Sequence, residues 1–340
     1  MLKRQQGFSL VSTMVGLTIG LIVAATAIGT ASFMEAAKRT SMGSNSALMN
    51  GAMGLFRIES ETKQAGLGLM YQNNFACPRM NLSYGDELRL DGAPLYPASI
   101  EDGEAQSDTL SVAYLNSLTG ATFAQVMLPM GTSSSVLKLS NAPDVRVGGV
   151  VLLQDITPSN PCTLVEVSEV TATDFGTNVG HTGGMLNSGE FTTPVLYTEK
   201  SRAAASSSFV WSTFRVRNNT LEEVNNITGT STVIADGVVR FKAQYGITDG
   251  NNTTVSSWVP ATGAYAGPTS ADMLRVRAVR IGVVARAPEP DTQCAAKNGV
   301  FTLWPDGPTV DVTKEPKWNC YRYRTFNLVV PLVNVAMGLL

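Results

Sequence analysis

The sequence has little of what most catalytic and metal sites are built from. Its 340 residues include one histidine and four cysteines, and no two cysteines form a C-x-x-C pair. It has no G-x-S-x-G motif and no P-loop. His181 stands alone in Asn-Val-Gly-His-Thr-Gly-Gly, which we interpret as a flexible loop. We therefore predict that the protein is not an enzyme and has no catalytic residue, no cofactor and no metal ligand.

Charge is also scarce, and its distribution is uneven. Only 15% of the residues are charged, the formal net charge is −2, and no charged residue occurs between Arg4 and Glu35. Because no basic stripe forms, we predict no nucleic acid partner. The uncharged run is longer than the roughly 20 apolar residues that cross a bilayer. Since Lys3 and Arg4 precede it, the leader should stay cytoplasmic and the rest of the chain should be periplasmic or beyond.

The residues ahead of the uncharged run form a distinctive leader. Positions 3–11 read Lys-Arg-Gln-Gln-Gly-Phe-Ser-Leu-Val, and no Ala-x-Ala-like site closes a short apolar core as in a secretory signal peptide. This arrangement resembles the class III signal of type IV pilins and type II secretion pseudopilins. The resemblance implies that a prepilin peptidase cuts between Gly7 and Phe8, and that Phe8 is then N-methylated.

Ser12 departs from the pilin pattern, which usually has Glu at this fifth mature position. In that family the Glu is thought to neutralise the amino terminus of the subunit above it inside the membrane. An unpaired carboxylate at bilayer depth costs several kcal/mol, whereas Ser12 can hydrogen-bond to its own helix. By resemblance to the pseudopilin that caps its complex and lacks this Glu, Ser12 suggests a tip or initiating subunit. Drift in a subunit that tolerates the loss of one salt bridge is the alternative.

A single long helix is predicted for the first fifth of the chain. No proline precedes Pro78, and apolar residues recur at helical spacing beyond the uncharged run, at Leu48, Met49, Ala52, Met53, Leu55 and Phe56. The helix should run from near Phe8 to about residue 64 and end at Gly66, a length of about 80 Å. The half beyond the membrane must therefore pack on a globular domain. The poor helix formers at residues 43–46 predict a bend or local melting.

Strand-like segments replace the helical periodicity after the helix. Short β-rich segments separated by turn residues occupy residues 108–114, 123–127, 136–139, 150–154, 164–168, 209–216, 238–245, 274–284 and 321–330. Blocks similar to those of the PilW-type minor pilins occur at residues 63–68, 107–114, 213–221, 236–246 and 321–326. The resemblance implies an α+β, pilin-like fold with a long N-terminal α-helix packed against a large antiparallel β-sheet domain.

Two polar patterns allow more than one interpretation. The arginines that alternate with apolar residues in the last two long segments are Arg275, Arg277, Arg280, Arg322 and Arg324. This alternation predicts the solvated faces of half-buried strands, with a ligand-binding cluster as the alternative. Residues 249–254 read Asp-Gly-Asn-Asn-Thr-Thr. We interpret them as a hairpin turn rather than a calcium loop, because the downstream Glu of an EF-hand is missing.

All four cysteines lie beyond the uncharged run, on the side of the membrane where disulfides form. Four cysteines allow three pairings, of which we prefer Cys77 with Cys162 and Cys294 with Cys320. The second pair would close a loop of about 26 residues, for which the loop-entropy relation gives roughly 3 to 4 kcal/mol of stabilisation. Free buried thiols are the alternative.

The resemblance to the PilW-type pilins implies a function as well as a fold. The chain would be a minor pilin that primes type IV pilus assembly and sits at or near the tip. Its partners would be other minor pilins, the major pilin and prepilin peptidase, with a PilY-type tip adhesin as a further candidate. A major pilin subunit, or a membrane-anchored periplasmic binding module, is the alternative.

The same resemblance predicts how the chain is divided. Residues 1–7 would be the leader, 8–34 the transmembrane and filament-core half of the helix, 35–66 its amphipathic half, and 67–340 the globular domain. Before assembly the protein would cross the inner membrane once, with its C-terminus periplasmic. After assembly it would lie in the extracellular pilus.

Overall fold

The computed structural model describes residues 10–116, 123–130, 136–140, 142, 145–157, 159–186, 190–250, 254–291 and 294–338. Helix α1 (Leu10–Gln64) spans 55 residues. Gly66, just beyond its end, has a φ of +87°, a left-handed conformation that glycine adopts readily. The side-chain amide of Asn334 donates hydrogen bonds to the carbonyls of residues 63–65. Because α1 ends here, these carbonyls receive no hydrogen bond from a further turn of the helix. The helix therefore ends where the sequence predicts.

The expected melting of α1 at residues 43–46 is wrong. These residues are helical, because small residues let this part of α1 approach the globular domain closely. A Cβ added to Gly43 would lie 3.3 Å from the Cβ of Ala287, and one added to Gly51 would overlap the ring of Phe326. Tertiary packing thus overrides the low helix propensity of glycine.

Among the described residues, short strands make up most of the remaining chain. The first are β1 (Met70–Tyr71), β2 (Asn74–Phe75), β3 (Arg79–Tyr84), β4 (Glu87–Pro94), β5 (Ala98–Glu101), β6 (Thr109–Leu115), β7 (Ala124–Gln125), β8 (Val136–Leu139), β9 (Val150–Gln154), β10 (Cys162–Glu166) and β11 (Glu169–Thr173). They are followed by β12 (Gly176–Gly180), β13 (Arg202–Ser206), β14 (Phe209–Arg217), β15 (Thr220–Asn225), β16 (Ser231–Asp236), β17 (Val238–Ile247) and β18 (Ser257–Val259). The last elements are α2 (Ser270–Met273), β19 (Val276–Arg286), β20 (Val300–Thr302), β21 (Thr309–Asp311), β22 (Tyr323–Pro331) and α3 (Val333–Met337).

Helix α1 packs on two antiparallel sheets. One has the strand order β18-β17-β19-β22 and the other the order β16-β15-β14-β6-β5. The helix contacts β22, β19, β16 and β6. Ile58 of α1, Phe214 of β14, Phe241 and Tyr245 of β17 and Ile281 of β19 belong to the apolar core they share. The α+β, pilin-like fold predicted from the sequence is thereby confirmed.

A second group of strands, which we call the lobe, consists of β3, β4 and β7–β13. It contains a six-stranded sheet of order β4-β3-β10-β9-β13-β7 and a three-stranded sheet of order β11-β12-β8. One apolar cluster, around Val126 and Leu137, lies within the lobe. A second, around Met80 and Leu152, is shared with Leu115 of β6 and Phe209 of β14 and so joins the lobe to the five-stranded sheet. Its β3 and β10 form a parallel pair, because the chain between them crosses to the other edge of the sheet before returning.

Strand β19 is not half-solvated, as the arginine alternation led us to expect. Arg277 is buried; its Nη1 donates to the carbonyl of Leu274 at 2.6 Å, and burial lowers the pKa of its guanidinium. The outer face of β19 is covered because the segment closed by the Cys294–Cys320 bond returns over it with Trp304. The alternation does hold for β22, whose arginine is exposed.

Candidate functional site

The first half of α1 is a candidate membrane and assembly surface. The span Leu10–Glu35 is long and apolar enough to cross a membrane, and its most apolar stretch is not buried against the rest of the protein. The hydroxyls of Thr18, Thr26 and Thr30 each donate to the carbonyl four residues earlier, at 3.1, 3.1 and 2.8 Å. Such bonds satisfy polar groups that find no water in a bilayer. The surface is thus suited to lipid or to other apolar helices.

Ser12 lies on the exposed surface of this span. The carbonyls three and four residues earlier, to which its hydroxyl would donate, lie outside the described residues, so that hydrogen bond stays a prediction. Gly7 and Phe8, the predicted cleavage and methylation positions, also lie outside the described residues.

Beyond the membrane span, α1 has two faces of different character. The face toward the sheets is built from Ala47, Gly51, Gly54, Leu55, Ile58 and Thr62. The opposite face carries Leu48, Met49, Met53 and Phe56, which we call the helix stripe. Met49, Met53 and Phe56 have exposed fractions of 67%, 64% and 72%. Of the apolar residues noted at helical spacing, only Leu55 is buried against the domain, and the helix stripe is a contiguous apolar surface of the kind that marks interaction sites.

A polar network fixes this part of α1 on the five-stranded sheet. The guanidinium of Arg57 donates to both carboxylate oxygens of Glu223, at 2.9 and 3.1 Å, and forms a 2.6 Å ion pair with Glu61. The hydroxyl of Tyr114 donates to Glu61 at 2.5 Å. The hydrogen bond to Glu223 raises the pKa of Arg57, and burial raises the pKa of Tyr114. These charge-assisted bonds fix the rotation of α1, so the helix stripe faces away from the sheets.

The structure bonds Cys77 to Cys162 and Cys294 to Cys320, the pairing preferred from the sequence, and no cysteine is free. The first bond joins the segment before β3 to the start of β10, across 85 positions of sequence. The second closes the excursion that covers the outer face of β19. Both disulfides therefore hold irregular segments onto sheets.

The remaining polar candidates are His181 and the suggested calcium loop. His181 follows β12 directly and is buried, and the first part of the segment interpreted as a flexible loop, up to Gly180, belongs to that strand. In the part of the chain that the structure describes, no group of three or more metal-ligating side chains occurs. Of the suggested calcium loop, residues 251–253 lie outside the described residues.

A cavity that the sequence does not reveal lies between the β1–β2 hairpin and the adjoining ends of β9 and β13. It has a volume of about 200 Å³ and is lined by Tyr71, Phe75, Gln154, Asp155 and Arg202, among others. These residues come from three separate segments and form no motif. Only the folded chain brings them together.

Comparison with known protein families agrees with this geometry. Residues 198–334 match the family described as Type IV Pilus-assembly protein W, and residues 2–28 match the prokaryotic N-terminal methylation motif. The chain is a type IV pilin-like protein of pilus assembly. The resemblance drawn from the leader and from the three blocks at residues 213–221, 236–246 and 321–326 is thereby confirmed, and the blocks at 63–68 and 107–114 lie outside the two matches. No curated protein and no solved structure matches the chain.

The two matches account for different parts of this pilin-like protein. The methylation motif covers the leader and the start of the span in α1, so the protein is anchored in the inner membrane by α1 and later lies in the pilus. The PilW match begins just before β13 and covers β13–β22, including the whole four-stranded sheet on which α1 packs and β14–β16 of the five-stranded one. It indicates pilus proteins as partners, and the motif indicates processing by a prepilin peptidase. Most of the lobe precedes the PilW match.

Proposed function

We propose that this type IV pilin-like protein is a minor pilin that primes pilus assembly and stays at or near the tip. Ser12 carries the proposal. A pilin that joins below another subunit uses a Glu at this position inside the membrane, and an unpaired carboxylate there costs several kcal/mol. A subunit that starts the filament has no subunit above it and has no use for this carboxylate.

The leader is processed in this proposal before the protein joins the pilus. Cleavage between Gly7 and Phe8 leaves Phe8 as the N-methylated amino terminus. Residues 8–34 then serve first as the membrane span and later as the filament-core half of α1, residues 35–66 as its amphipathic half, and residues 67–340 as the globular domain. Mass spectrometry of the mature protein tests this step, because the first residue should be N-methylphenylalanine.

The partners in this proposal are other minor pilins and the major pilin, which contact α1, and a PilY-type adhesin above the globular domain. Two features of α1 support such contacts. The most apolar stretch of the span Leu10–Glu35 is not buried against the rest of the protein, and the helix stripe gives α1 a second exposed apolar surface beside the domain. The apolar helices of neighbouring pilins could pack against both the span and the helix stripe.

Two other functions are weaker. A major pilin would repeat along the whole filament, but it would be expected to carry Glu rather than Ser12, and a globular part of roughly 270 residues is large for dense helical stacking. A membrane-anchored periplasmic binding module would explain the span in α1 but not the PilW match.

Immunogold labelling of pili distinguishes these functions. A minor pilin at the tip should give label at filament ends, and its deletion should abolish pili while major pilin is still made. Label along the whole shaft would instead support a major pilin. Normal pili after deletion would support the binding module.

A further inference from the structure

The cavity on the lobe has unused hydrogen-bond donors on its floor. Gln154 and Arg202 are direct partners in the antiparallel pairing of β9 with β13, so their side chains leave the sheet on the same face. Gln154 is only 4% exposed, and its Nε2 has no hydrogen-bond partner among the described residues. Leaving a buried amide unpaired costs free energy. A ligand that supplies an acceptor would remove this cost.

Arg202 adds a second donor beside the first. Its guanidinium carbon lies 3.8 Å from the centroid of the Tyr71 ring, so the two groups stack. Among the described residues, this stacking is the one contact of the Arg202 guanidinium with another side chain, and it engages the flat face of the group. The N–H groups in its plane are left for an acceptor, and the geometry of this fork suits a carboxylate.

The acidic residue of the cavity does not supply that acceptor. Asp155 already accepts from the main-chain N–H of Ile156 at 2.8 Å, from Nδ2 of Asn160 at 2.5 Å and from Oγ of Ser201 at 3.3 Å. Its charge disfavours a dianionic ligand such as phosphate. A ligand with one negative charge fits the single guanidinium of Arg202 better.

The rest of the lining favours a sugar over a peptide. Tyr71 and Phe75 supply aromatic surface, and the amides of Gln72 and Asn74 at the hairpin can both donate to and accept from hydroxyl groups. Strand β9 pairs on both sides, with β10 and β13, and β13 pairs with β9 and β7. Among the described residues, both strands at the floor of the cavity, β9 and β13, are therefore paired on both sides, whereas an extended peptide would need a free edge there.

We propose that this cavity binds a carboxylate-bearing sugar unit, with the carboxylate held by Arg202 and Gln154 and the hydroxyls held by the amides at the rim. The site goes beyond pilus assembly, because it would let the lobe attach to an acidic glycan. It does not depend on where in the pilus the subunit sits.

The test compares two sugars that differ at one carbon. The full-length chain in detergent micelles is titrated with galacturonate and with galactose, and binding is followed by calorimetry or ligand-observed NMR. Galacturonate should bind at least about tenfold more tightly, which corresponds to about 1.4 kcal/mol. Equal binding of the two sugars, or no binding of either at millimolar concentration, would overturn the proposal. So would tighter binding of a short acetylated peptide with a free C-terminus than of galacturonate.

Three variants locate the binding in the cavity. Arg202→Gln should reduce the affinity for galacturonate to that for galactose, and Gln154→Leu, which keeps the volume but removes the donor, should weaken galacturonate binding several-fold. Arg215→Gln is the matched control, because Arg215 pairs with Glu222 on the five-stranded sheet and should leave binding unchanged. Thermal unfolding shows which variants are folded. If folded Gln154→Leu binds galacturonate as the natural chain does, the site is wrong.

Discussion

Gly51 of α1 faces the ring of Phe326 on β22 so closely that a Cβ at position 51 would overlap the ring. The contact is between a helix backbone and one edge of a partly buried ring that packs against the shared core. Gly54, one turn further, lies similarly close to Leu221, whose Cδ2 would be 2.8 Å from an added Cβ. Glycine at these positions therefore sets the distance between α1 and the sheets.

Replacing Gly51 by alanine should push α1 away from β22. We expect Gly51→Ala to destabilise the folded domain by about 1 to 3 kcal/mol, the usual cost of overpacking, despite the better helix propensity of alanine. Denaturant unfolding in detergent measures the change. The control is Gly29→Ala, where an added Cβ meets nothing within 4 Å. Equal effects of the two substitutions would show that the contact with Phe326 does not control stability.

The Cys294–Cys320 bond gives a second prediction. It closes a loop of 26 residues, and loss of such a bond should cost about 3 to 4 kcal/mol. Cys294→Ser, Cys320→Ser and the double variant should therefore lower the free energy of unfolding by the same amount, since each removes the same bond. Unequal losses would contradict this pairing. Protection of β19 amides against hydrogen exchange should fall as well, because the loop covers that strand.

High pH should destabilise the domain through Tyr245. Burial raises the pKa of Tyr245 to about 12, whereas a tyrosine in an unfolded chain ionises near pH 10. The neutral side chain thus contributes stability that is complete below about pH 10 and is lost as the pH rises toward about 12. The slope should be up to about 1.4 kcal/mol per pH unit. Denaturant unfolding between these pH values should show a shallower slope for Tyr245→Phe; an unchanged slope would assign the loss to other groups.

Much of the fold can be predicted from the sequence because it depends on local patterns. The absence of charge between Arg4 and Glu35 and of proline before Pro78 predicts one long helix, and α1 is that helix. Runs of β-branched residues mark the central strands, and β9, β14, β17 and β19 lie where those runs are. The lobe's β3 and β4 were harder to foresee, since Asn81 and Gly92 interrupt the pattern and pair with each other across the strands.

What the sequence does not predict depends on contacts between distant segments. Spacing finds the apolar residues of α1 but does not tell which face is buried, because glycines rather than large apolar residues form the close contacts. The covering of the outer face of β19 depends on a distant loop that a disulfide closes. The cavity of Tyr71, Gln154 and Arg202 requires three segments to meet. None of these three features produces a periodic pattern in the sequence.

The helix stripe should contact other pilus proteins in the assembled filament. A photo-activatable phenylalanine analogue at Met53 should cross-link to neighbouring pilins, because Met53 is exposed and lies between Met49 and Phe56. The same analogue at Phe175, which is 77% exposed against 64% for Met53 but lies on the lobe, is the control and should cross-link weakly to them. Mass spectrometry identifies the partners. Cross-linking at Phe175 but not at Met53 would show that the pilin contacts lie on the lobe and not on the helix stripe, which would contradict our proposal.

Ser12 gives the sharpest prediction about place in the filament. Ser12→Glu would introduce a carboxylate at bilayer depth that, in a tip subunit, has no amino terminus above it to pair with, at a cost of several kcal/mol. The free energy of unfolding of the globular domain should not change, because Ser12 does not contact it, but pilus number should fall. Thr13→Glu is the control, since it carries the same insertion cost without restoring the usual pilin position. Immunogold label in the shaft as well as at filament ends for Ser12→Glu, but not for Thr13→Glu, would show that residue 12 decides whether the subunit can be added below another subunit. Unchanged pilus number and tip composition would instead mean that Ser12 arose by sequence drift and has no role in placing the subunit.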